Sequence, residues 1–189
     1  MTLPRQGIAV LLLSFLSALG GCDYERITIV TRQRNYDARV LTHYEDVEIR
    51  ASGIVLKPGA RLAIHSSDIT SFVGSFDVAI LDGDGFNAYL RSVPHLFDTT
   101  KGLAILYSRK GCSVTMPDGE VVPLERKAEM GARRLLLTNE AGVVGVSIGC
   151  DRLFESYTGI PNTEYVIFEA LPGSTVELRT VAFSASDGE

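Results

Sequence analysis

Three side chains that could contact a ligand alternate along the segment GFNAYLRS. Asn87, Tyr89 and Arg91 lie two residues apart, so on a β-strand they would point to the same side of the sheet. Tyr107 and Arg109 are expected to share a face of the next strand, beside them. Amide, phenol and guanidinium groups can stack on and hydrogen-bond a sugar, or hold a protein partner. The sequence therefore predicts a binding surface here, although a half-exposed sheet face without a ligand explains the same pattern.

The acidic residues are poorly spaced for catalysis. Glycan hydrolysis usually needs two carboxylates that face each other across the scissile bond. Asp46 and Glu48 would share one strand face while Glu45 would point to the other, which favours a solvated strand edge. The chain also has no Gly-x-Ser-x-Gly motif, no phosphate-binding glycine loop and no cofactor motif. These observations predict a protein that is not an enzyme and uses no cofactor.

The segment DGDGFN could hold calcium through Asp82, Asp84 and Asn87. An EF-hand loop would require a ligand at the position of Phe86, so that motif is absent. A plain turn explains the same residues, and the sequence predicts no other metal site.

Two cysteines remain after the one near the N-terminus. Cys112 and Cys150 each follow a glycine close to the end of an expected strand. In an exported chain such a pair favours a disulfide between neighbouring strands. Two buried free thiols are the alternative.

The N-terminus reads as an export signal. Residues 1–21, MTLPRQGIAVLLLSFLSALGG, combine the positive charge of Arg5 with an apolar stretch and small closing residues. The end of this stretch, followed by Cys22, resembles the lipobox of bacterial lipoproteins. That resemblance implies a lipid on Cys22, and Asp23 behind it resembles a signal for retention in the inner membrane. An ordinary signal peptide with a chance cysteine is the alternative.

Charge excludes one class of partner. The whole chain has a formal net charge of −5, and without residues 1–21 it keeps 17 basic and 23 acidic side chains. Because the basic residues are scattered rather than clustered, nucleic acid is excluded as an expected partner.

Short apolar runs separated by Gly, Pro, Asp and Asn continue through the rest of the chain. They predict an all-β, antiparallel sandwich or barrel over residues 46–183. Residues 22–45 are expected to be a lipid-anchored tether that could include an edge strand, and residues 184–189 a flexible tail. The one helix candidate is Leu124–Met130.

The alternation of apolar and polar residues also suggests that two of the expected strands pair with each other. The apolar sides of Phe76–Leu81 and Phe86–Ser92 coincide if the segments form a hairpin with a three-residue loop. That register would place Val78 opposite Leu90 and Asp77 opposite Arg91.

The order of these segments resembles the concanavalin A-like and laminin-G-like jelly-roll superfamily. The similarity covers SFDVAI, GFNAYLRS, GLAILYSRKGCSV, the hairpin over 134–148 and the long strand after Pro172-Gly173. It implies two packed antiparallel sheets in a fold that serves lectins, carbohydrate-binding modules, glycan hydrolases and interaction domains. A shared fold does not fix the function.

The sequence thus favours a non-catalytic lipoprotein anchored to the periplasmic membrane surface, expected at the inner membrane. Its favoured role is an accessory or scaffold subunit that binds a protein partner in a membrane complex. A lectin-like carbohydrate-binding module is the alternative, although the chain has no tryptophan for a stacking platform. A glycan hydrolase of the same fold is the second alternative.

Overall fold

The computed structural model describes residues 25–30, 35–42, 46–50, 52–65, 72–91, 102–158 and 165–185. These residues form strands and connecting turns, and no helix occurs among them. The strands are β1 Glu25–Val30, β2 Asn35–Thr42, β3 Val47–Arg50, β4 Gly53–Leu56, β5 Arg61–His65, β6 Phe72–Asp82, β7 Gly85–Arg91, β8 Leu103–Ser108, β9 Gly111–Thr115, β10 Val121–Leu124, β11 Gly131–Glu140, β12 Val143–Ile148, β13 Asp151–Tyr157, β14 Tyr165–Ala170 and β15 Thr175–Ala185.

The strands assemble into two antiparallel sheets. One sheet has eight strands in the order β1-β2-β5-β14-β7-β8-β9-β10, and the other has seven in the order β13-β12-β11-β6-β15-β4-β3. Neighbours in each sheet are often distant in sequence, as expected for a jelly roll. The predicted all-β sandwich is confirmed.

The core lies between the sheets and is filled by alternate residues of each strand. Phe76 of β6 meets Phe168 of β14 with ring centroids 5.0 Å apart in an edge arrangement. Phe86 of β7 lies 5.9 Å from Phe168 and 5.3 Å from Tyr107 of β8. All four rings are at most 3% exposed, so this aromatic cluster joins the two sheets at their centre.

The predicted hairpin between the Phe76 and Phe86 segments is wrong. β6 pairs with β11 and β15, whereas β7 pairs with β14 and β8, so the two consecutive strands lie in different sheets. Asp77 lies opposite Arg134, not Arg91. The apolar sides are nevertheless as predicted, because both point into one core from opposite sheets. Alternation identifies the buried side of a strand but not the strand beside it.

The segment 82–85 carries the chain from one sheet to the other. The Oγ of Ser174, a fully buried residue, accepts a hydrogen bond from the Asp84 amide at 2.8 Å. Gly83 has a φ of +82°, and a Cβ at this position would lie 2.4 Å from the Gly173 carbonyl oxygen. Only glycine allows the crossing turn to pack this closely on the turn before β15.

The helix prediction for Leu124–Met130 is also wrong. Leu124 ends β10, and the following residues run without helical hydrogen bonds. Their backbone pairs across the chain instead: the Cys112 amide donates to the Arg126 carbonyl, and the Ala128 amide donates to the Ser108 carbonyl. These bonds to β8 and β9 replace the local ones of a helix.

The first strands of the chain extend the larger sheet. β1 pairs with β2, and β2 pairs with β5. The predicted lipidation and sorting residues, Cys22 and Asp23, lie outside the described residues, and so do residues 186–189 of the predicted tail. Within the described ranges, no helix has the length and apolar character to cross a bilayer.

Candidate binding face

The outer face of the eight-stranded sheet brings residues from five strands into one line, and four of them are polar. Cross-strand pairing sets them side by side, because each residue lies opposite the next in register. We call this line the polar row, which consists of Arg61, Glu169, Asn87, Leu106 and Ser113. One step further along the strands lies a second line, the apolar row, which consists of Ala63, Ile167, Tyr89 and Ala104.

Glu169 is the centre of a hydrogen-bonded network in the polar row. Its Oε1 accepts a bond from Arg61 Nε at 2.6 Å. Its Oε2 accepts one from the Tyr89 hydroxyl at 2.5 Å and one from Asn87 Nδ2 at 3.2 Å. The Glu169 side chain keeps 17% of its surface exposed and that of Arg61 keeps 28%. The network is therefore preformed yet reachable from solvent.

The network fixes the protonation of its members at neutral pH. Partial burial acts to raise the pKa of Glu169, but the hydrogen bonds from Tyr89, Arg61 and Asn87 outweigh it and hold this pKa below its ordinary value. Burial, reinforced by the neighbouring carboxylate, raises the pKa of Tyr89 well above its usual range. Glu169 is thus a carboxylate that accepts hydrogen bonds, and Tyr89 stays a donor.

The apolar row holds Tyr89 in place. Ala63 is fully buried, Ile167 is 1% exposed and Tyr89 is 8% exposed, although all three lie on an outer face. Ala104 and Tyr165 pack against them. The Tyr89 ring is consequently not available as a stacking surface, and its contribution is to position Glu169.

An open hollow of about 600 Å³ continues the polar row at its Ser113 end. Its lining combines apolar side chains with one ion pair and includes Asp84, Leu106, Lys110, Ser113, Leu171 and Pro172. Lys110 Nζ lies 2.5 Å from Asp84 Oδ2. The turns after β6, β8 and β14 form the hollow, since these strand ends meet at the same end of the sandwich.

The structure separates the five predicted binding residues. Asn87 and Tyr89 belong to the Glu169 network. Arg91 ends β7 opposite Tyr165, and its side chain lies outside the described part of the chain. Arg109 lies exposed in the turn between β8 and β9.

The predicted solvent-facing position of Tyr107 is wrong. Tyr107 pairs with the inward-facing Phe86 and is 3% exposed within the core. Leu106 and Ala104 are instead the outer-face partners of Asn87 and Tyr89. Tyr107 alternates with Leu103 and Ile105 on the apolar side of β8, which places its ring inside.

Sequence reasoning missed Glu169 and Arg61. They come together only through the pairing of β14 with β5, more than 100 residues apart in the chain. The segment YVIFEA offered a signal, because alternation that buries Val166 and Phe168 places Glu169 on the outer side. Its partner could not be found without the strand order.

The three calcium candidates do not converge on one point. Asp82 Oδ1 accepts a bond from the Gly83 amide at 2.8 Å. Asp84 is paired with Lys110, and Asn87 donates to Glu169. Among the described residues, no group of three His, Cys, Asp or Glu side chains could hold a metal ion.

The predicted disulfide is absent. Cys112 and Cys150 are both free thiols. Cys112 faces the core from β9 of the eight-stranded sheet, whereas Cys150 is exposed in the turn between β12 and β13 of the other sheet. The two residues are not on neighbouring strands, which the prediction required. Burial raises the pKa of the Cys112 thiol.

Comparison with solved structures shows the fold. Carbohydrate-binding module CBM66 from Bacillus subtilis matches with a TM-score of 0.59 and 14% identity, over 77% of this chain and 95% of that one. The Ca2+/Man-bound exoplasmic/lumenal domain of VIP36 matches with a TM-score of 0.57 and 13% identity, over 82% and 86% of the two chains. A sialidase matches with a TM-score of 0.60 and 10% identity, over 79% of this chain but 17% of its own. No protein-family model and no curated protein matches the sequence. The chain thus has the β-sandwich fold of these proteins.

Proposed function

We propose that this protein is a non-catalytic carbohydrate-binding module whose site is the polar row with its adjoining hollow. The observation that carries the proposal is the Glu169 network, which is preassembled, part exposed and in the same row as Leu106 and Ser113 of the hollow. The names of a carbohydrate-binding module and a Man-bound domain among the structural neighbours support it. They favour this function over the accessory protein-binding subunit that the sequence suggested first.

The groups of the site suit a sugar. The Asn87 amide has two N–H donors and one carbonyl acceptor, and the Ser113 hydroxyl both donates and accepts. Glu169 fixes the orientation of the Asn87 amide by a charge-assisted hydrogen bond. Leu106 and Pro172 give the hollow apolar surface for the C–H faces of a ring. Fixing these groups before binding lowers the entropy lost when a ligand is ordered.

The same geometry supports a binding role rather than hydrolysis. A glycosidase acid must hold a proton at working pH, which requires a raised pKa. The pKa of Glu169 is lowered instead. Asp84, the acidic residue of the hollow, is neutralised by Lys110.

Attachment to a membrane belongs to the proposal as well. The lipobox-like sequence before Cys22 supports acylation of that residue and display on the periplasmic side of the membrane. The intact mass of protein purified from membranes tests it, since acylation adds the mass of the acyl chains and Cys22→Ser should remove it. A mature chain without added mass would contradict the anchor and leave the binding site untouched.

A glycan array in calcium-containing buffer tests the binding function. Wild-type protein should bind at least one neutral glycan, while Asn87→Ala and Glu169→Gln should lose roughly tenfold or more in affinity, as expected when a partly buried hydrogen-bonding group is removed or left unpaired. Glu177→Gln is the matched control. Glu177 is also an outer-face carboxylate that accepts bonds from a serine and an arginine, but it is buried and lies on the seven-stranded sheet. Equal losses in all three variants, or no glycan bound by the folded wild type, would overturn the proposal.

A further inference from the structure

The polar row is longer than one sugar ring. Its five residues occupy β5, β14, β7, β8 and β9, which are separated by four interstrand steps. With strands about 4.8 Å apart, the row is about 19 Å long. A single ring can contact only part of this length, whereas a chain of linked rings laid across the strands can contact all of it.

The row has two polar ends with an apolar residue between them. Glu169 and Asn87 form one end, and Ser113 with the Asp84–Lys110 pair of the hollow forms the other. Leu106 lies between Asn87 and Ser113 in register. A ligand that uses both ends must therefore place different sugar units on each of them.

Each end of the row contains one ion pair, and the two charges of each pair cancel. Arg61 neutralises Glu169 with a 2.6 Å contact, and Lys110 neutralises Asp84 with a 2.5 Å contact. An acidic glycan would lose solvation on entering the site without meeting an uncompensated cation among the residues of the row and of the hollow's lining. The charges thus favour an uncharged ligand.

From these observations, and resting on the proposed carbohydrate-binding function, we infer that the site takes a linear, uncharged oligosaccharide laid across the strands. The Glu169–Asn87 end holds one unit, and the Ser113 end is a second subsite that short sugars do not reach. Affinity then rises with chain length until the ligand spans the row.

Calorimetric titration of the full protein, purified from membranes in detergent, tests this inference. The probes are mannose with its linear oligomers of two to five units, and the equivalent gluco- and galacto-oligosaccharide series. For the series that binds, we expect a gain in affinity of roughly tenfold or more between one and four units. Ser113→Gln, which narrows the hollow with a longer neutral side chain, should abolish that gain.

Ser147→Gln is the control variant, because Ser147 lies on the seven-stranded sheet, away from both ends of the row. This variant should keep the wild-type increase in affinity with the length of the oligosaccharide. Equal affinity for one and four units, or a length gain that survives in Ser113→Gln, would overturn the oligosaccharide inference and leave carbohydrate binding intact. Failure of every series and of the glycan array would overturn the binding function itself.

Discussion

Glu169 illustrates how a single side chain organises the candidate site. It receives hydrogen bonds from Arg61, Asn87 and Tyr89, which come from two neighbouring strands. Hydrogen bonds to a charged group contribute about 1.5–3 kcal/mol each, more than those between neutral groups. The network therefore stabilises the fold at the same point where it would meet a ligand.

The lowered pKa of Glu169 predicts a pH dependence of stability. A group whose pKa is lower in the folded state contributes stability above its unfolded value, ordinarily 4.5, and loses that contribution as the pH falls through the folded value. Urea unfolding at neutral pH and at about pH 3 should therefore show a smaller loss of unfolding free energy in Glu169→Gln than in the wild type. Equal losses in the two proteins would show that the network does not hold the carboxylate in its charged form.

The two free cysteines should differ in reactivity. Cys150 is exposed, whereas Cys112 is 4% exposed and burial raises its pKa, so its reactive thiolate is scarce. In a Cys22→Ser background, Ellman's reagent should label one thiol at once and the second only after denaturation. Failure to label either thiol in denatured, unreduced protein would indicate the disulfide that this structure lacks.

At the scale of the strand, the alternation of apolar and polar residues predicts which side of a strand faces the core but not which strands lie beside it. The inward sides of β6 and β7 follow from the sequence, yet the strands lie in different sheets because β11 and β15 already occupy both edges of β6. Tyr107 is a different case, an error of orientation, since its alternation with Leu103 and Ile105 indicates the inward side of β8 rather than the predicted solvent side. Arg61 and Glu169 could not be joined from the sequence, because strand order in a jelly roll depends on long-range pairings.

The crossing turn between β6 and β7 carries a testable requirement for glycine. Gly83→Ala places a Cβ 2.4 Å from the Gly173 carbonyl at a φ of +82°, so the turn must move away from Ser174. Gly119→Ala is the control, with a φ of +92° and no atom within 4 Å of its Cβ. The control should lose roughly 1–2 kcal/mol of unfolding free energy from backbone strain alone. Gly83→Ala should lose clearly more, because its Cβ also clashes with the neighbouring turn. Similar thermal melting of both variants would contradict the packing of the crossing turn.

At the scale of the whole molecule, the aromatic cluster makes the two sheets one cooperative unit. Phe168 contacts Phe76 across the sandwich and Phe86 within its own sheet. The existence of such a core was predictable from apolar periodicity and chain length. Which rings meet was not, since it depends on the offset between the sheets.

Phe168→Ala should therefore destabilise the entire sandwich, by about 3–5 kcal/mol. Phe154→Ala is the matched control, because Phe154 is only partly buried against the same core. This variant should lose less unfolding free energy than Phe168→Ala. Urea unfolding followed by circular dichroism and by tyrosine fluorescence, which the absence of tryptophan leaves as the intrinsic probe, should give coincident transitions for each protein. Separate transitions would show that the sheets unfold independently.

The most direct test of the binding face is a titration of isotope-labelled protein with the best glycan from the array, followed by amide NMR shifts. The largest shifts should fall on Glu169, Asn87 and its side-chain amide, Leu106 and Ser113, which lie on four strands of one sheet face. Glu177 and Ser147, on the seven-stranded sheet, should not move. Shifts confined to the seven-stranded sheet, or no shifts at saturating glycan, would contradict a carbohydrate site on the polar row.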